Sequence, residues 1–109
     1  MTQVSIADDF SATPGGRFNR DGPFSGQAFR ERFLEPSIDR NEVVDVYLDR
    51  VAGLPSSFLE EAFGGLFRRH NASRQVRDLV RLHAQTASLQ PYVVLIHRFM
   101  DEAAERVPG

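Results

Sequence analysis

The sequence predicts a small α/β fold in one domain spanning residues 1–109. Two observations predict it. Short β-branched runs alternate with polar residues, as in "QVSIA" and "EVVDVYLDRV", and between and after them come longer stretches with apolar residues at helical spacing. The order is strand, loop, helix, strand, helix, strand, helix, and such alternation builds a sheet layered with helices. A chain of 109 residues, 41% of them hydrophobic, suits a single core.

Each element has its own signal. In residues 3–7, Val4 and Ile6 fall on one side of a strand and Ser5 on the other. "SATPGGRFNRDGP" is a turn-rich loop, with a hairpin expected around Arg17 and Phe18. Ser25 can cap a helix, Phe24 before it can staple onto Phe29, and Pro36 should stop that helix. Val44, Val46 and Leu48 alternate with Asp45, Tyr47 and Asp49, the pattern of a half-covered strand. Gly53 and Pro55 turn the chain into a helix, "SSFLEEAFGGLFRR", that ends at or just before Asn71. Residues 72–79 read as a short polar helix, and residues 79–84 as a third strand. Residues 87–106 read as a closing helix capped by Ser88, with Pro91 in the first turn, where proline is tolerated.

Composition narrows the function. Thirteen basic and fifteen acidic side chains give a net charge of −2, so nucleic acid is not an expected partner. The chain has no cysteine, which excludes disulfides and thiolate metal sites and suits a cytoplasmic setting. The apolar run at residues 92–96 is far shorter than the roughly 20 residues of a membrane span. The first ten residues lack the pattern of a secretory signal.

The helix "SSFLEEAFGGLFRR" carries two adjacent glycines, each costing a helix interior about 1 kcal/mol relative to alanine. Leu59, Ala62, Phe63 and Leu66 share one face at about 100° per residue, and that face must lie on the sheet. Ser56, Ser57, Glu60, Glu61, Gly64 and Arg68 are read as the other side, a partner-binding face with Gly64 as a smooth patch. Gly65 falls nearer the edge of the apolar stripe, where it suits close packing on the sheet. Ser57 and Glu60 have the spacing of a capping box.

The segments "DFSATPGGRF", "GPFSGQAFRERFLEP" and "LDRVAGLPSSFLEEAFGGLFR" together resemble the bacterial STAS-like domains of unknown function, over residues 6–70. These are related in fold to sulfate-transporter and anti-sigma-factor-antagonist domains. The resemblance implies a mixed sheet with helices packed mainly on one face. It also implies a non-enzymatic regulatory module that binds a protein partner, with a histidine-kinase-like ATPase as the class of partner. In anti-sigma antagonists a serine at the start of a helix is phosphorylated to control binding; Ser57 matches that serine and Ser56 the one before it. Pro55 stands where those proteins have aspartate, and Phe58 where they have glycine.

Other constellations support rival readings. The glycine-rich loop over residues 15–26 carries Arg17 and Arg20 as candidate anion ligands, although it lacks the G-K-[ST] end of a phosphate loop. That loop would serve a nucleotide or small-ligand binder, or an enzyme. A permanent subunit of a larger assembly, or a homo-oligomer, would use the two-glycine helix as its interface. Asp45 and Asp49 share a strand face, and a solvated face explains them better than acid–base chemistry. His70, His83 and His97 have no metal-ligand spacing, so neither a metal nor a cofactor is expected. Arg68, Arg69, Arg74, Arg77 and Arg81 form the strongest basic run.

Overall fold

The computed structural model describes residues 2–70 and 74–106. Three strands, β1 (Thr2–Ser5), β2 (Val44–Tyr47) and β3 (Val80–His83), form one sheet in the order β1-β2-β3. Both pairings are parallel, with Val4 opposite Val46 and Val46 opposite Leu82. The α/β class is borne out, but the sheet of the described residues is parallel throughout, not mixed. The reason is in the connections: each strand is joined to the next through a helix, and no hairpin forms to reverse direction.

The residues that alternate along the strands sort onto two faces. Val4, Ile6, Val44, Val46, Leu48 and Val80 are buried beneath the helices. Gln3, Ser5, Asp45, Tyr47, Arg81 and His83 take the opposite face, as a period of two requires.

The first helix, α1 (residues 26–39), begins as foreseen: the Ser25 hydroxyl accepts from the Ala28 N–H at 3.1 Å. It does not stop at Pro36. A π-helical turn at Arg30–Leu34 lets the Glu35 N–H reach the Arg30 carbonyl, and Pro36 then sits in the first turn of Glu35–Asp39, where it needs no N–H partner. Phe24 packs edge-on against Phe10 at 5.5 Å, and Phe10 in turn meets Phe29. The foreseen staple is thus relayed through Phe10. The strand at residue 3 ends earlier than expected, at Ser5, because a π-helical turn Ile6–Phe10 follows it. The Ser5 hydroxyl accepts from Asp8 N–H, and the Asp9 carboxylate accepts from Ser5 N–H at 2.7 Å.

No hairpin forms around Arg17 and Phe18. That loop is closed instead by backbone bonds from Gly15 to Phe24, Gly26 to Gly16 and Gln27 to Arg17, with a 3-10 turn at Asn19–Asp21.

The second helix, α2 (residues 56–69), is the centre of the helical layer. Phe58, Leu59, Ala62, Phe63, Leu66 and Phe67 are all at most 2% exposed, so it is covered on the sheet side and on both flanks. One flank meets α1 and the other meets the closing helix. A short helix, α3 (Arg74–Leu79), leads into β3. The expected helix end at Asn71 and the start at Ala72 lie outside the described residues. The closing helix α4 (Gln90–Arg106) buries Ile96, Met100 and Ala103. Ser88 does not cap it, because a 3-10 turn at Ala87–Leu89 precedes it; Pro91 does fall in its first turn. None of the described helices is long and apolar enough to cross a membrane.

Candidate functional site

Pro55 is extended and opens α2, so Ser56 and Ser57 are its first two residues. The capping box is not made: no side chain caps the first turn. The physical reason is that Ser57 already lies inside the helix, two residues past the cap position at Pro55, too late to turn its hydroxyl back on the N–H groups. Glu60 is drawn elsewhere, to Arg17 and Arg68. Ser56 is exposed and Ser57 half-buried.

The two glycines sit under a cluster of ion pairs. Arg30 of α1 is only 4% exposed. Its Nε donates to Glu35 at 2.7 Å, and its Nη1 donates to the Glu61 carbonyl at 3.0 Å and to the Glu61 carboxylate. Arg68 reaches Glu61 at 3.4 Å, Arg17 reaches it at 3.7 Å, and Arg69 reaches Glu35 at 3.4 Å. A Cβ on Gly65 would lie 2.5 Å from Arg30 Nη1. A Cβ on Gly64 would lie 2.6 Å from the Glu60 carboxylate and 3.3 Å from Arg68 Nη1. Gly64 is therefore not the open patch that the helical wheel suggested: it is buried, because the long side chains one turn either side fold over it. Gly65 makes room for a guanidinium of α1, not for the sheet. At Gly65 the glycine penalty is offset by a buried guanidinium that a bare backbone seats.

The same crossing explains Gly26, which no local sequence signal marks. A Cβ there would collide with the Phe58 carbonyl oxygen and come within 3.1 Å of the Ala62 nitrogen. The start of α1 thus rests on the backbone of α2.

Burial works against the charge of Arg30, but Glu35 and Glu61 more than offset it and raise its pKa above the ordinary value. Partial burial likewise works against the Glu60 carboxylate, and hydrogen bonds from Arg68 and Arg17 outweigh it, holding the pKa low.

The candidate anion ligands do not converge. Arg17 is committed to Glu60, while Arg20 lies over the Phe18 ring, 5.0 Å from its centroid. The basic run is dispersed too: Arg68 and Arg69 pair with Glu60 and Glu35, and Arg77 pairs with Asp101. The side chain of Arg74 lies outside the described residues. Asp45 and Asp49 have separate partners. Asp45, 6% exposed, meets His83 Nε2 at 2.8 Å, and the His83 ring stacks on Tyr47 at 4.6 Å. Asp49 accepts from the N–H groups of Thr86 and Gln85, which lower its pKa. Among the described residues no group of three His, Cys, Asp or Glu could hold a metal.

One feature has no motif in the sequence. A cavity of about 550 Å³ opens at the carboxyl ends of β1 and β2, lined by Ser5, Asp9, Tyr47, Asp49, Arg50 and Thr86 among others. Arg50 there has φ of +72°, an uncommon conformation for a side chain of its size. Only register brings these residues together, so no local spacing could have revealed them.

Three parallel strands under a layer of helices, with an exposed serine opening the central helix, define the class: a small two-layer α/β module. The chain matches the family model described as STAS-like domain of unknown function (DUF4325) over residues 25–84, and it belongs to that family. The match begins at the cap of α1 and runs to the end of β3, further than the resemblance over residues 6–70 had reached. No curated protein and no solved structure matches the chain.

Proposed function

We propose that this protein is a regulatory module that binds a protein partner through the start of α2, without catalysis of its own. The observation that carries the reading is the exposed, uncapped opening of α2 at Ser56 and Ser57, in a chain of the STAS-like family. Glu61 ties this helix to α1 through Arg30, and Glu60 ties it to the glycine-rich loop through Arg17 and holds Arg68 over Gly64. Family resemblance makes a histidine-kinase-like ATPase the class of partner.

The geometry also favours control by phosphorylation of Ser57. A phosphate at a helix start meets N–H groups that lack intrahelical partners. Glu60 would repel such a group, but Arg17 and Arg68 neutralise it. The change of charge would then switch the partner's affinity.

A photo-crosslinking residue placed at Ser56, and separately at exposed Arg98 on α4, tests this in a lysate of the source organism. A protein crosslinked from position 56 and not from position 98 is expected. Crosslinks from neither position, or equally from both, would refute binding at this surface.

A further inference from the structure

We infer that the outer edge of β3 receives an extended strand from a partner protein, with apolar residues facing the helices and acidic residues on the opposite face. This surface is separate from the start of α2 and does not rest on its role.

The first ground is the backbone. Among the described residues β3 has one neighbour, β2. The His83 carbonyl accepts from Leu48 N–H at 2.9 Å, so Arg81 and His83 turn their backbone groups toward β2. Val80 and Leu82 then turn theirs outward, the unpaired row of an edge strand. β3 carries no proline or lysine to blunt that edge.

The second ground is the width of the two layers. Helices α1, α2 and α4 lie side by side, with α2 between the others. Two helix spacings of 8–10 Å make a layer about 16–20 Å across. Two strand spacings of about 4.8 Å make a sheet only about 10 Å across. The helices therefore overhang the sheet by the width of at least one strand. On the β1 side the cover is complete, and Phe10 in the turn after β1 packs against Phe29, Phe33 and Phe58. On the β3 side the cover by the described residues is incomplete. In the inward row Val4–Val46–Leu82, Val4 is 2% exposed and Val46 is fully covered, yet Leu82 is only half-buried.

The third ground is charge, and it selects the occupant. The outward residues of β3 are exposed Arg81 and half-buried His83, and His83 meets the buried carboxylate of Asp45. A strand added beside them is favoured by carboxylates opposite Arg81 and His83. A second copy pairing through β3 would instead bring one Arg81 guanidinium beside the other on the same face of the joined sheet, like charges at close range.

The test uses the whole chain, labelled with ¹⁵N, and two capped heptapeptides, one alternating valine with glutamate and one alternating valine with lysine. The glutamate peptide is expected to shift the amide signals of Val80–His83, to slow exchange of the Leu82 amide, and to bind about fivefold tighter than the lysine peptide for each cross-strand pair formed. The exposed substitution Arg81→Glu should invert that preference. No shift at β3 with millimolar peptide, or equal binding of both peptides, would overturn the proposal. So would a dimer on sizing whose β3 amides are already protected without peptide.

Discussion

Adjacent glycines in one helix should respond to alanine with opposite signs. Gly65→Ala gains about 1 kcal/mol of helix propensity. Against that, its Cβ would lie 2.5 Å from the Arg30 guanidinium, well inside an ordinary contact. Arg30 is 4% exposed and tied to Glu35, to the Glu61 carboxylate and to the Glu61 carbonyl, so it cannot withdraw without weakening those bonds. Overpacking costs roughly 1–3 kcal/mol and a weakened charged hydrogen bond about 1.5–3 kcal/mol. The net is a loss of about 1.5–5 kcal/mol. Gly64→Ala gains the same propensity but presses on Glu60 and Arg68, whose side chains are 21% and 36% exposed and can move into solvent. Its net effect should lie between zero and a gain of about 1 kcal/mol. Urea unfolding followed by circular dichroism at constant slope reads both values. If Gly65→Ala stabilised the chain as much as Gly64→Ala, Arg30 would not be seated on Gly65 and the explanation of the pair would fail.

Further outcomes follow from the same geometry. Arg30→Met should cost about 3–5 kcal/mol by stranding Glu61, and Arg30→Met with Glu61→Leu should recover most of it; a double variant no better than the single one would contradict a coupled pair. Ser25→Ala should cost about 1 kcal/mol through the lost cap, while Ser57→Ala, with no cap to lose, should cost under about 0.5 kcal/mol; equal losses would contradict the observed helix starts. Burial and Arg77 lower the pKa of His97 from 6.5, so the unfolded chain takes up its proton first. Stability should therefore fall as pH drops below about 6.5, and His97→Gln should flatten melting temperature against pH there; an unchanged slope would exclude His97 as its source.

The legible part of this fold was local. β2 is a run of alternating β-branched residues, and the Ser25 cap announces α1, because both depend on neighbours along the chain. Pro36 misled, because a π-helical turn formed by tertiary packing moved it from a helix interior to a first turn. Gly64 misled for a related reason: a helical wheel shows direction but not what long side chains fold over. Arg30 was invisible as an anchor, since its partners Glu35 and Glu61 lie five and thirty-one residues away and only the α1–α2 crossing unites them. The serines at positions 56 and 57 were placed correctly at a helix start, though with the cap assigned two residues too far along.

Hydrogen exchange of the whole chain, alone and with the protein crosslinked from position 56, bears most directly on the proposed binding role. Slowed exchange at residues 56–60, with α4 unchanged, is expected. Slowed exchange elsewhere with residues 56–60 unaltered would contradict binding through the start of α2.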